Sequence, residues 1–336
     1  MNYNLQFEKL CKTVALGKII TPPQELSGGL MHRTFALATT SGKYAVKALN
    51  PMVMSRPEAM QNTINSESIV RVAANNINAI TAMLFDDNAV LTIDGQHYMV
   101  FTWFDGNHIF GKDITLNHCE QMSKVLANIH NTDFSALGLK DTYTADEPIP
   151  DWNSYLQKGI ATGAVWAKTM QENIELLYNY SEKVQETAKI LSTQTVITHA
   201  DLEPKNTLWV DDKPFIIDWE AAGFVNKYHD LVETAVYWSK DDNGKLIKEK
   251  FLAFINGYKS FNQALNTDWN MVLDKGFSGL LGWLEYSLKR SLWIECADDS
   301  ENQMGTEHVS GTISNINQYA KDKVMLERWL KEVLYA

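Results

Sequence analysis

Two neighbouring stretches decide how this chain folds: VITHADLEPKNTLWV at residues 196–210 and PFIIDWE at residues 214–220. Each sets short apolar runs beside polar side chains, among them His199, Asp201, Asn206 and Asp218. The apolar runs flank a polar turn at 211–213, which predicts a small β-hairpin. Such a hairpin brings Asn206, before its first strand, and Asp218, after its second, to the same end.

The residue types at this end of the hairpin suit a hard metal ion. Mg²⁺ prefers oxygen ligands, binds few protein groups, and takes its remaining ligands from water and nucleotide phosphates. The amide oxygen of Asn206 and the carboxylate of Asp218 form such a partial set. Asp201, on the preceding loop, is then free to accept a hydrogen bond from an attacking hydroxyl. We therefore predict that one carboxylate binds metal and the other orients a nucleophile.

A second hairpin is predicted near the N-terminus. Residues 33–37 and 43–49 form strand-like runs on either side of a turn at Ser41-Gly42, and Ser27-Gly28-Gly29 stands before them. A glycine pair allows backbone N–H groups to approach a phosphate, although most such pairs are ordinary turns. Lys47 alternates onto this hairpin and offers an ammonium to phosphate oxygens, although a lone strand lysine is more often solvated.

The next segment carries the expected partner of this lysine. Residues 56–77 show helical periodicity, with Glu67 able to reach back to Lys47 and Glu58 as a competing partner. Strands at 89–93 and 97–104 follow, joined across Asp94-Gly95, a strong hairpin signal. We place a domain boundary after residue 104.

Beyond this boundary the pattern becomes mostly helical, with helices predicted over 115–130, twice within 152–192, and through 229–336. The sequence therefore predicts an α+β protein of two unlike lobes, residues 1–104 and residues 105–336.

Composition narrows the class of function. Thirty Lys and Arg residues against 41 Asp and Glu residues give a net charge of −11, which argues against a nucleic-acid partner. The acidic balance suits a cationic small substrate, but it is also ordinary for cytosolic proteins. Three widely spaced cysteines predict free thiols, and no apolar stretch approaches the roughly 20 residues that span a bilayer. We expect a cytoplasmic protein without a membrane segment.

The spacing of His199, Asp201, Asn206 and Asp218 closely resembles the motifs of the aminoglycoside phosphotransferase and choline kinase superfamily, the small-molecule branch of the protein-kinase-like fold. The resemblance extends over about residues 25–235. It implies a bilobal fold with a small antiparallel-sheet N-lobe, one main helix, and a larger helical C-lobe. It also implies ATP or GTP and Mg²⁺ as cofactors.

The resemblance assigns a role to each matching residue. Asp201 would be the catalytic base, with His199 bracing its loop, and Asp230 would brace the same loop. Asn206 and Asp218 would bind Mg²⁺. The nucleotide would be held by a phosphate loop, a strand lysine with its helix partner, and a hinge over Thr102 to Gly106, which gives the binding residues Ser27, Gly28, Gly29, Lys47, Glu67, Thr102 and Phe104.

The phosphate acceptor is predicted to contact the C-terminal helices. Trp283, Tyr286 and Trp293 recur at helical spacing beside Glu285, and such an aromatic group can cage an ammonium. Core packing is the commoner reason for such a stripe, and Arg290 within it disfavours a purely cationic pocket. Glu220 either contacts the acceptor directly or supports the residues that contact it.

These residues predict an ATP- and Mg²⁺-dependent phosphotransferase acting on a hydroxyl of a small molecule, such as an aminoglycoside, choline or an amino alcohol. The alternative is a catalytically silent kinase-like module that binds a nucleotide or ligand. Protein kinase activity is disfavoured, because Ala200 replaces the arginine of that family and only about a dozen residues separate Asp218 from Asp230. Either a monomer or a homodimer fits the sequence.

Overall fold

The structure is a computed structural model that describes residues 3–26, 31–141, 143, 148–261 and 265–335. The chain divides into two compact units, each discontinuous in sequence. The first comprises Met1–Ile109, Thr132–Leu139 and Lys205–Ala222, and the second comprises Phe110–Asn131, Lys140–Pro204 and Gly223–Ala336. The two lobes expected from the sequence, 1–104 and 105–336, stay a prediction about domains. The predicted hairpin lies within residues 205–222 and therefore belongs to the first unit, together with the N-terminal segment.

The first unit is built on an antiparallel sheet with the strand order β1-β2-β3-β5-β4. Its strands are β1 (Gln24–Leu26), β2 (Arg33–Thr39), β3 (Gly42–Ala48), β4 (Leu91–Ile93) and β5 (Gln96–Thr102). Inward positions of β2 and β3 are apolar and buried, including Phe35, Leu37 and Val46. This period-2 alternation is the pattern that the sequence shows, and the predicted hairpin of β2 and β3 is confirmed.

Two tight turns follow the expected chemistry. Asp94 and Gly95, between β4 and β5, have φ values of 48° and 82°. Asp211 and Asp212 connect β7 (Thr207–Val210) to β8 (Lys213–Ile216) with φ values of 47° and 57°. Positive φ at both central residues matches the right-handed twist of the flanking strands, which is why Asp and Gly are favoured there. The predicted hairpin of residues 207–216 is confirmed.

Three short helices accompany the sheet: α1 (Phe7–Thr13), α2 (Pro51–Met54) and α3 (Ala59–Ala73). Helix α1 ends at Thr13, and further along the chain Ile20 donates its backbone N–H to the Ala38 carbonyl on β2. Asn50 begins α2 by accepting a hydrogen bond from the Met52 N–H, with Pro51 at the first helical position. The helix predicted over 56–77 is shorter than expected, beginning at Ala59 and ending at Ala73.

The second unit is mostly helical, as predicted. A two-stranded antiparallel sheet pairs β6 (Thr195–Thr198) with β9 (Gly223–Asn226). Its apolar core includes Trp152, Trp166, Phe277 and Leu284. The helices are α4 (Leu116–His130), α5 (Trp152–Thr162), α6 (Ala167–Leu191), α7 (Lys227–Trp238), α8 (Lys248–Lys259), α9 (Trp269–Lys275), α10 (Phe277–Ser291) and α11 (Asp299–Tyr335).

The α+β architecture, a small antiparallel sheet followed by a mainly helical region, is thus confirmed. No helix in the described part of the chain is both long enough and apolar enough to cross a membrane.

Candidate active site

A cavity of about 430 Å³ opens within the first unit. Its walls come from the five-stranded sheet, from α3, from the segment after β5, and from the β7–β8 hairpin and the residues after it. Pockets that hold small molecules and cofactors have volumes of about this size. The apolar side chains that line it are Leu26, Ala45, Leu49, Val70, Ile80, Met99, Phe101, Trp103, Phe104, Leu208, Ile217 and Trp219.

Lys47 supplies the cationic group of this cavity. Its Nζ atom lies 2.5 Å from Oδ1 of Asp218 and 2.8 Å from Oε2 of Glu220. Burial opposes the charged ammonium, but the two carboxylates outweigh it, so the pKa of Lys47 is raised above its ordinary value. Burial raises the pKa of Glu220, and the Lys47 ammonium opposes that rise. Lys47 is therefore a charged, strongly held cation at the polar end of the cavity.

The predicted pairing of Lys47 with Glu67 is wrong. Glu67 lies on α3 with its carboxylate 2.8 Å from Nη2 of Arg71, and it also accepts the Ala82 backbone N–H at 3.0 Å. Burial raises the pKa of Glu67 to about 7, against the opposing effect of Arg71. Glu58, the competing candidate, directly precedes α3. Glu67 nevertheless lines the same cavity as Lys47, so it remains a candidate nucleotide-binding residue.

The end of the β7–β8 hairpin carries the two predicted metal ligands. Asn206 is buried just before β7, and its backbone carbonyl accepts the Ile217 backbone N–H at 3.0 Å, which draws the two ends of the hairpin together. Asp218 follows with φ at +61°, a left-handed conformation that short polar residues tolerate. Within the described residues, no group of three or more His, Cys, Asp or Glu side chains is arranged to hold a metal.

The predicted hinge follows β5. Trp103 donates its backbone N–H to the Lys43 carbonyl at 3.1 Å, and its indole N–H donates to Asp105 at 2.7 Å. The Phe104 ring packs on Phe215, with centroids 4.4 Å apart. Thr102 and Phe104 line the cavity, as their predicted role requires. The predicted phosphate loop, Ser27, Gly28 and Gly29, lies outside the described residues and stays a prediction.

The predicted catalytic loop belongs to the second unit. His199 is fully buried, and its Nδ1 atom accepts the backbone N–H of Asp201 at 3.2 Å. Ala200 between them has φ at +60°, an unusual conformation for alanine. Strain of this kind persists where surrounding contacts impose it, and it is frequent at functional sites. The geometry is that expected of a histidine that braces the loop, and the roles of His199 and Asp201 stay predictions.

A buried hydrogen-bond network supports this loop. Asp230 on α7 accepts from the Thr198 hydroxyl at 2.7 Å and pairs with Nε2 of His130 at 2.7 Å. The other His130 ring nitrogen lies 2.7 Å from the Tyr258 hydroxyl. Burial alone would raise the pKa of Asp230, but these hydrogen bonds and His130 outweigh it and lower the pKa. Asp230 therefore tethers the residue before His199, and His130 is a partner that the sequence reasoning missed.

Glu233 lies one helical turn beyond Asp230 on α7 and was also missed. Its pKa is raised to about 8, first by burial and then by the charges of Asp230, Asp201 and Glu203. The Tyr237 hydroxyl donates to Glu233 over a long 3.4 Å. The influence of Asp201 places this carboxylate in the electrostatic environment of the predicted catalytic residue. Its position in the chain gave no signal, because both burial and acidic neighbours arise from folding.

The predicted acceptor residues on α10 do not form one stripe. Trp283 and Tyr286 contact each other, with ring centroids 5.6 Å apart, and Arg290 stacks over Tyr286. Glu285 is engaged by the Tyr155 hydroxyl at 2.8 Å and by Lys289. Trp293 lies beyond the end of α10, which stops at Ser291, and is 55% exposed. The expectation that Trp293 continues the helical stripe was therefore wrong, and the acceptor role of these residues stays a prediction.

Solved structures with the same fold support a kinase-like architecture. Spectinomycin phosphotransferase APH(9)-Ia, in complex with ADP and spectinomycin, matches with a TM-score of 0.68 and 14% identity over 95% of this chain and 99% of that chain. Choline kinase from Cryptosporidium parvum Iowa II matches with a TM-score of 0.61 and 13% identity over 98% and 99% of the two chains.

An amicoumacin kinase in complex with AMP-PNP, Ca²⁺ and Ami matches with a TM-score of 0.60 and 13% identity over 94% of both chains. Comparison with curated protein sequences finds no significant match. The family model of the phosphotransferase enzyme family, APH, matches residues 23–262, more than two-thirds of the chain. The chain therefore belongs to the phosphotransferase enzyme family.

Proposed function

We propose that this protein is a small-molecule kinase that transfers the γ-phosphoryl group of ATP, or GTP, to a hydroxyl group with the help of Mg²⁺. The observation that carries the proposal is the contact of Lys47 with Asp218 inside a cavity of nucleotide size. Lys47 would neutralise phosphate oxygens, and the apolar walls contributed by Leu26, Ala45 and Leu208 would hold the base. Phosphoryl transfer depends mainly on positioning and charge neutralisation, which this set of residues can supply.

Asn206 and Asp218 are the residues that would hold Mg²⁺. Their amide and carboxylate oxygens match the preference of this ion for oxygen ligands. When bound, the ion would neutralise charge on the phosphates. Glu220 is close enough to Lys47 to influence the same phosphate end of the cavity.

Asp201 would accept the hydrogen bond of the acceptor hydroxyl and, as a general base, take its proton. The His199 ring fixes the backbone at Asp201. Asp230 would keep this loop in place through Thr198. These assignments follow from the sequence motif and are supported by the hydrogen bonds within the second unit.

The acceptor would be a small, amine-bearing molecule. Three observations favour a cationic acceptor: the net charge of −11, the acidic side chains around Asp201, and the names of the related structures, which include a choline kinase and a spectinomycin phosphotransferase. Glu203, and Glu233 in its ionised form, would attract its ammonium. The cytoplasmic location and the choice between monomer and homodimer stay predictions from the sequence.

An ADP-release screen tests this function. We expect Mg·ATP-dependent ADP release with one or more of aminoglycosides, choline, homoserine and hexosamines, and none with the Asp201→Asn variant. Thermal-shift measurements with Mg·ATP run in parallel. Stabilisation by Mg·ATP with no turnover on any hydroxyl acceptor would favour a silent binding module, and the absence of any nucleotide effect would contradict the proposal.

A further inference from the structure

His32 is a buried histidine at the phosphate end of the cavity that the predicted machinery does not use. It directly precedes β2, its side chain is only 6% exposed, and it lines the cavity together with Lys47, Asp218 and Glu220. A buried polar ring beside these charged groups needs hydrogen-bond partners, because an unsatisfied buried polar group is unfavourable.

The hydrogen bonding of the ring fixes its tautomer. Nδ1 of His32 accepts the backbone N–H of Asn50 at 2.9 Å, and Asn50 is itself fully buried as the residue that begins α2. A backbone amide can only donate, so Nδ1 carries no proton and the neutral ring carries its proton on Nε2. The Nε2–H group is therefore a donor whose position is set by the Asn50 contact.

This donor faces the partner of Lys47. Nε2 of His32 lies 3.8 Å from Oε2 of Glu220, the same oxygen that accepts from Lys47 at 2.8 Å. The first distance is longer than a hydrogen bond, and a shift of less than about 1 Å would close it. Glu220 thus lies between a cation that now holds it and a neutral donor that can replace that cation.

Nucleotide binding creates the need for this replacement. When Lys47 moves to phosphate oxygens, as the proposed function requires, Glu220 loses its charged partner. The Glu220 side chain is 31% exposed, so water can solvate part of the carboxylate, and a protein donor beside it fixes its orientation. A neutral N–H is suited to this because it satisfies the carboxylate without adding a charge that would compete for phosphate.

We propose that His32 is a positioning residue for the nucleotide: its Nε2–H takes over the Glu220 carboxylate when Lys47 contacts the phosphates. The inference rests on the proposed nucleotide-binding function. His32 acts through Glu220 and does not contact the reacting atoms.

A double-mutant cycle separates this role from simple packing. The affinity for Mg·ATP is measured calorimetrically in the wild type, His32→Phe, Glu220→Gln and the double variant. We expect His32→Phe to weaken binding by roughly tenfold in the wild-type background, the scale of one hydrogen bond to a charged group, and by less than about twofold when Glu220 is already Gln. The control His97→Phe, on β5 outside the cavity, leaves the affinity unchanged. Equal weakening in both backgrounds would overturn the proposal.

A second measurement does not require a folded His32 variant. Ring ¹⁵N–¹H correlation spectra of the wild type with Mg·AMP-PNP should show His32 with its proton on Nε2 and a downfield shift of that proton on binding. The shift should be lost in Glu220→Gln. A His32 ring signal unchanged by Mg·AMP-PNP would also overturn the proposal. Failure of the wild type to bind Mg·ATP at all would instead contradict the nucleotide function on which it rests.

Discussion

The ammonium of Lys47 lies 2.5 Å from the carboxylate of Asp218, a residue 171 positions further along the chain. One contact thus joins the residue proposed to bind phosphate to a residue proposed to bind metal. Because both a lysine and a metal ion are cations, they compete for the Asp218 carboxylate. In the proposed function, binding of Mg·ATP would resolve this competition by offering Lys47 the phosphates as new partners.

This competition predicts opposite effects of one substitution on two ligands. Lys47→Met should weaken Mg·ATP binding by about 10- to 150-fold, the equivalent of one hydrogen bond between charged groups. The same variant should bind Mn²⁺ alone more tightly than the wild type, because Asp218 and Glu220 lose their ammonium partner. Calorimetry measures both affinities, and Lys12→Met, an exposed change on α1, serves as the control. Weaker binding of both ligands would argue against the competition.

Asp201 should affect the chemical step and not nucleotide binding. Asp201→Ala is expected to reduce turnover by about 10²- to 10⁴-fold, the usual effect of removing a general base. Its dissociation constant for Mg·ATP should stay within about twofold of the wild type, since a base acts on the acceptor. Steady-state kinetics on an acceptor found in the screen, together with calorimetry, provide the test. The control is Asp211→Asn, in the turn between β7 and β8, which removes the same charge without changing the predicted catalytic loop. If the turnover of Asp201→Ala were close to that of this control, Asp201 could not be the general base.

Glu233 should make acceptor binding depend on pH. Only the ionised carboxylate attracts an ammonium, and with a pKa of about 8 Glu233 is largely protonated at neutral pH. The KM for a cationic acceptor should therefore fall as the pH rises through about 8, while Glu233→Gln raises the KM and flattens this dependence. The charged and titratable groups whose influence reaches Glu233 are Asp201, Glu203, Asp230, His229, Tyr237, Lys240 and Tyr319.

The same raised pKa affects stability with a defined sign. Glu233 keeps its proton in the folded state at pH values where the unfolded chain has lost it, so folding becomes less favourable as the pH rises from the ordinary value towards about 8. Thermal melts should show Glu233→Gln gaining stability relative to the wild type across this range. A KM that is independent of pH, with melts that run parallel, would contradict the assignment.

The sequence predicted those features that depend on neighbouring residues. Asp94-Gly95 has the backbone chemistry of a tight hairpin turn, and the pattern around Asp211-Asp212 gave the β7–β8 hairpin. The partners of Lys47 could not be predicted in the same way. They are two carboxylates that follow β8, and they come close to Lys47 only when the chain folds. The sequence did contain a local signal for the actual partner of Glu67. Arg71 stands four residues after Glu67, the helical spacing that favours an ion pair between them. The pKa of Glu233 depends on burial, which no local pattern gives.

The Asp230 network should stabilise the fold in a way that acid removes. Because the pKa of Asp230 is lowered in the folded protein, its contribution is present at neutral pH and is lost as the pH falls below the ordinary range of an aspartate. Asp230→Asn leaves His130 and Thr198 without their buried carboxylate, and we expect a loss of about 3–5 kcal/mol in the free energy of unfolding at pH 7. Denaturant unfolding between pH 2 and about pH 7 should show a weaker acid dependence for this variant than for the wild type. Asp87→Asn, an exposed change near β4, is the matched control.

His130→Ala should lose less stability in the Asp230→Asn background than alone, since both residues belong to one hydrogen-bond network. Additive losses would mean that His130 and Asp230 stabilise the protein independently and that the contact between them is not the source of the stability.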